Sequence, residues 1–187
     1  TKTIANPSTE TTLLNDGKLV ISLYHALSKL NVTLDLANEF YKLDPSLNNA
    51  TDITEFTVSG TKAGYYFYPM MSDASDVYGV VEASDGTAAN ILFFQGAFTA
   101  ASESDMHSYA TYEGIVVPQE IAAGALTVSF KISDRSFSWT NTEAIELEQG
   151  KLYTLPLTVG YDAVTLAARA FTAEQWNTTT GNDLTTE

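Results

Sequence analysis

With 187 residues the chain has room for one full core, and it reads as a single domain with generous loops. Nine basic residues, standing singly along the chain, face 23 acidic ones for a net charge of −14, which excludes a nucleic-acid groove or an anionic membrane surface as partner. The absence of cysteine excludes a disulfide framework, a thiolate zinc site and a cysteine nucleophile.

Charged residues make up only 17% and aromatic residues 11%, with Thr, Ser and Asn abundant. That is the composition of half-buried strands, so the expected class is all-β. No apolar run approaches the roughly 18 to 20 residues a bilayer requires, so no direct membrane insertion of this region is expected.

In chain order, residues 1–16 read as a linker or lead-in arm, because Pro7 and clustered Ser and Thr oppose regular structure. Residues 17–176 read as one β-sandwich domain, and 177–187 as a mobile polar tail. Lys18 to Leu36 is the longest apolar-periodic run. Leu19, Ile21 and Leu23 share one strand face, and Leu30, Val32, Leu34 and Leu36 share another. The change of parity requires a bulge or short turn around His25 to Lys29. A helix through Leu19, Leu23, Ala26, Leu30 and Leu34 also fits the spacing, but Val20, Ile21, Val32 and Thr33 favour strand.

Further on, Ile53 to Ser59 reads as a strand and Ser59 to Gly64 as a turn. Tyr65, Tyr66, Phe67 and Tyr68 form an aromatic run that Pro69 places at a strand end or sheet edge. Val77 to Ala83 is expected to pair with Ala89 to Phe94 through Ser84-Asp85-Gly86, and Phe98 to Tyr112 carries only a weak pattern. Gly114 to Ile121 is expected as an edge or bulged strand because of Pro118. Leu126, Val128, Phe130 and Ile132 then alternate strictly with polar residues. Strands over 136–141, 152–159 and 163–171 follow, separated by turn chemistry.

His25-Ala26-Leu27-Ser28-Lys29-Leu30-Asn31-Val32-Thr33-Leu34, then Gly114-Ile115-Val116-Val117-Pro118-Gln119 before Leu126-Thr127-Val128, then Leu147 to Val159, and a strand ending near Trp176, occur in that order. Together they resemble the carboxy-terminal domain of the fimbrillin family, pilus and cell-surface proteins of the Bacteroidales. The resemblance implies an antiparallel β-sandwich of transthyretin-like topology, with long loops and one short helical turn. It also implies export as a lipoprotein precursor to the outer-membrane surface, and assembly by insertion of a strand from one subunit into the next. Family precursors carry a lipid-accepting cysteine and an amino-terminal domain that this sequence does not contain, so residues 1–16 read as the remnant of a linker.

The expected partners are therefore other fimbrial subunits, with a host or bacterial surface protein or glycan as a second class. The final strand, with Val164, Leu166, Ala168 and Ala170 on one face, is the expected exchangeable strand, since the tail beyond Trp176 has Leu184 as its only apolar side chain. Tyr65, Tyr66, Phe67 and Tyr68, with Trp176, are the expected partner or ligand surface, because exposed rings stack on sugars or anchor proteins. Half of the tyrosine-rich run is expected in the core. His25 and His107 lack a nucleophile signature, and the loop carboxylates Asp73, Asp76, Asp85, Glu103 and Asp105 lack calcium-loop spacing. No catalytic residue, metal or cofactor is expected. The rival reading is a carbohydrate-binding or accessory sandwich module of a secreted complex, with a hydrolase as a third.

Overall fold

The computed structural model describes residues 14–15, 18–19, 25–70, 78–167 and 171–176. In order these carry β1 (Leu14–Asn15), β2 (Lys18–Leu19), β3 (Ser28–Leu36), the helix α1 (Asn38–Leu43), β4 (Ile53–Lys62), β5 (Tyr65–Met70), β6 (Tyr78–Ala83), β7 (Ala88–Ile91) and β8 (Phe94–Thr99). They continue with β9 (Ser108–Val116), β10 (Gln119–Ile121), β11 (Thr127–Ile132), β12 (Arg135–Thr140), β13 (Ile145–Leu147), β14 (Lys151–Val159), β15 (Val164–Leu166) and β16 (Thr172–Gln175).

Two sheets form the sandwich. The larger runs β15-β14-β3-β9-β8, with β16 also on β14, and the smaller runs β12-β11-β4-β7. Strand β3 is central because alternation puts Leu30, Val32, Leu34 and Leu36 wholly inside, and it pairs parallel to β14 and antiparallel to β9 over its whole length. The parallel partner β14 contributes Tyr153, Leu155, Leu157 and Val159. From the smaller sheet Val58, Val128, Phe130, Ile132 and Phe137 meet them across the interior. Helix α1 closes one end by burying Phe40 against the rings of Phe137 and Tyr161.

A bend at Ala26 and Leu27 precedes β3, which starts at Ser28, so residues 28–36 are strand and not helix. Ile21 and Leu23 lie outside the described residues. Within the expected lead-in arm, Leu14–Asn15 pairs with Lys18–Leu19. Three features differ from expectation, one of them a pairing. Strand β6 pairs with β5 and not with β7, while β7 pairs with β4, and Ser84 N donating to Gly64 O at 2.9 Å closes the base of the β5–β6 ribbon. Strand β4 continues through the expected turn to Lys62, because Gly60 at φ +96° absorbs a register shift between Val58 and Thr61. The segment from Gly114 breaks at Val117-Pro118 into the end of β9 and β10, as a residue without N–H demands.

Of the strand expected over 163–171 only β15 (Val164–Leu166) forms among the described residues, β16 follows it from Thr172, and Pro156 explains the gap between them. Its carbonyl accepts Ala167 N at 2.9 Å, so its backbone nitrogen faces the same outer edge and has no hydrogen to donate there. Strand β15 pairs with Leu157 to Val159 on one side of the proline and β16 with Lys151 to Thr154 on the other.

Candidate assembly edge and aromatic ribbon

The outer edge of β14 is the first candidate site. Strand β16 covers its start with the register Lys151↔Gln175 to Thr154↔Thr172, yet all four β16 side chains are exposed. Apolar burial therefore contributes little along the strand itself. Two ring contacts hold its ends: Phe171 stacks on buried Tyr153 with centroids 5.4 Å apart, and Trp176 stacks on His25 at 3.6 Å. Trp176 N also donates to Gly150 O at 3.0 Å, and Gln175 Nε2 to the same carbonyl at 3.3 Å.

Gly150 belongs to the turn between β13 and β14, which is pinned from several sides. Its N–H donates to Leu27 O at 3.2 Å, Ser28 Oγ donates to Glu148 O at 2.6 Å, and Glu148 N donates to the Tyr153 hydroxyl at 2.6 Å. Burial pushes the Tyr153 phenol above its ordinary pKa, so the hydroxyl stays protonated while it accepts that bond. The edge thus consists of a rigid acceptor and a loosely covered strand. A few backbone hydrogen bonds at about 0.5–1.5 kcal/mol net and two stacks at about 0.5–1.5 kcal/mol oppose about 1–2 kcal/mol of ordering entropy per residue. The balance leaves β16 near the low end of local stability.

At the other outer corner β15 is three residues long, with Val164 packed partly against the core and Leu166 exposed. Ala168 and Ala170, the other members of the expected exchangeable face, lie outside the described residues. The corner is clasped by Arg135, whose guanidinium sits 3.5 Å over the Tyr161 ring and donates to Tyr161 O at 2.6 Å.

The second candidate site is the β5–β6 ribbon. Tyr65, Tyr66, Phe67 and Tyr68 are all exposed, between 38% and 57%, so the half expected in the core is outside it. A two-stranded ribbon apart from the sandwich has no second layer on which to bury alternate rings. Its partner β6 is tied to the same turn as β16: Val81 N donates to Gln149 Oε1 at 3.3 Å. Trp176 does not join the ribbon's rings but pairs with His25, and among the described residues no ring contact links it to Tyr65 through Tyr68.

The strand ending near Trp176 is β16 (Thr172–Gln175), but sequence reasoning missed its separation from β15 and the His25–Trp176 stack. Pro156 inside a core strand was the available signal, since it marks an outer neighbour that cannot be continuous. Among the described residues no helix is long and apolar enough to cross a membrane.

The architecture is an all-β sandwich with its larger sheet loosely covered along the outer edge of β14. A fimbrillin-like family model matches residues 4–176, and the chain belongs to that family. Its fold is similar to that of a candidate cell adhesion protein from Bacteroides uniformis, at 18% identity and TM-score 0.51, over 87% of this chain and 55% of that one. A candidate cell adhesion protein from Bacteroides ovatus gives 12% identity and TM-score 0.41, over 82% and 46%. A fimbrial protein from Bacteroides vulgatus gives 14% and 0.36, over 81% and 54%. The chain spans about half the length of these solved structures. No curated protein matches it in sequence.

Proposed function

We propose that the chain is a non-enzymatic subunit of a cell-surface fimbria, outer-membrane associated, that joins other subunits by strand exchange at the outer edge of β14. In this reading β16 leaves its own sheet and pairs with β14 of the next copy, remaking there the contacts it makes at home. The transfer is head to tail and does not close, so it propagates as a filament. The observation that supports it is the uneven cover of β14. Its inner side is paired with β3 over eight consecutive residues, while its outer side carries only β15 and β16, interrupted at Pro156. Opening that edge uncovers a row of donors and acceptors without disturbing the core.

The test compares the full-length gene product, matured in a host that assembles fimbriae, with the same protein ending at Phe171. Detergent-resistant polymers from the first and none from the second are expected. Equal polymers from both would end the exchange reading. A full-length product that stays monomeric while a shaft subunit polymerises beside it would end the shaft role and leave a tip or accessory adhesin.

A further inference from the structure

We infer that the outward face of the β5–β6 ribbon, Tyr66 and Tyr68 with Glu82, is a binding platform for a neutral glycan. The two faces of the ribbon differ. On the face shared by Tyr65, Phe67 and Val81, Val81 is buried opposite Phe67 while the two rings remain about half exposed. The opposite face presents Tyr66 and Tyr68, both exposed, with exposed Glu82 directly across from Tyr66.

Same-face neighbours on a strand stand about 6.6–6.8 Å apart, so each ring meets its own part of an extended ligand. Among the described residues no ring contact involves Tyr66 or Tyr68, and both side chains are exposed, so they are available for stacking. Stacking uses the C–H face of a sugar ring, while the two phenol hydroxyls and the Glu82 carboxylate exchange hydrogen bonds with the sugar hydroxyls.

Charge selects the ligand class. Glu82 is the only charged residue of β5 and β6, no Lys or Arg lies on either strand, and the chain as a whole carries −14. A sulfated, sialylated or uronate-rich glycan would meet net repulsion there, and a second copy of the chain would bring the same charge. The platform does not depend on strand exchange, because no residue of β14, β15 or β16 belongs to it.

The test uses the whole chain and soluble neutral oligosaccharides, with cellohexaose, xylohexaose and mannohexaose as probes and oligogalacturonate as the charged control. Ligand-observed saturation-transfer NMR and calorimetry give binding and affinity. Binding of at least one neutral probe, no binding of oligogalacturonate, and at least about a tenfold loss in Y66A/Y68A with unchanged melting temperature are expected. Y66F/Y68F should keep most of the affinity, since the rings remain. Failure of all three neutral probes at millimolar concentration would overturn the inference, as would equal binding by Y66A/Y68A or a Tyr66-dependent dimer in place of sugar binding.

Discussion

The indole of Trp176 lies flat on the imidazole of His25, with centroids 3.6 Å apart and planes 3° from parallel. This stack joins the end of β16 to the approach of β3, two points 151 residues apart in the chain (176 − 25), and it is one of two ring contacts holding the edge strand. Its removal should loosen the edge and leave the core intact. Trp176→Ala is expected to raise amide exchange over residues 172–176 at least about tenfold, while the global unfolding free energy falls by no more than about 1.5 kcal/mol. Exchange mass spectrometry on the two proteins measures it. Unchanged exchange there would mean that the stack does not secure β16.

Pro156 leads to the opposite change. Because it cannot donate toward β15 and β16, Pro156→Val supplies the missing hydrogen bond and lets the cover of β14 become continuous. The variant should show slower exchange at Leu166 and Ala167 and slower polymerisation than the parent. Faster polymerisation would contradict the role assigned to the gap.

Asn141 is a buried amide with every polar atom placed. Its Oδ1 accepts Leu126 N at 2.9 Å, and its Nδ2 donates to Ala122 O and Glu143 O at 2.9 and 2.7 Å. Asn141→Leu leaves those backbone groups unmatched and is expected to destabilise the domain by about 2–4 kcal/mol in urea denaturation. A loss below about 0.5 kcal/mol would show that water replaces the amide.

Tyr112 stacks on Phe56 at 3.7 Å, and burial pushes its phenol up to about 12. An unfolded tyrosine releases its proton near pH 10, so the folded state holds a proton that the unfolded state gives up. This part of the stability is whole below about pH 10 and is lost as pH climbs toward about 12, by about 2–3 kcal/mol in all. Urea midpoints at about pH 8 and about pH 11 should therefore drop less in Tyr112→Phe than in the parent. Equal drops would place the Tyr112 hydroxyl in water.

The strands that could be read in the sequence are those whose inner positions are large. Leu30 to Leu36 and Leu126 to Ile132 alternate plainly, and both lie where alternation places them. The part of β9 before Gly114 escaped because its inward residues include Ser108 and Ala110, which, like Gly114 after them, are small where a neighbour fills the space. At Gly114 the Phe93 ring lies 2.6 Å from where a Cβ would stand, so the apolar volume of that position is written 21 residues earlier (114 − 93). The pairing of β5 with β6 was hidden for a related reason. Local turn chemistry at Ser84-Asp85-Gly86 suggests a hairpin, whereas the long-range competition among β4, β5 and β7 for partners decides the register. The candidate sites were half legible. The aromatic run Tyr65 to Tyr68 announced itself, but its exposure depends on the absence of a second layer, and Trp176 found a histidine instead of a ligand face.

The most direct test of strand exchange is a reversible lock. The chain has no cysteine, and Thr154 and Thr172 are register partners on β14 and β16, within the reach of a disulfide. Oxidised T154C/T172C, with β16 tied to its own β14, should remain monomeric under assembly conditions, and reduction should restore detergent-resistant polymers. Polymers formed with the bond intact within each chain would contradict the account, because β16 would then never have left home.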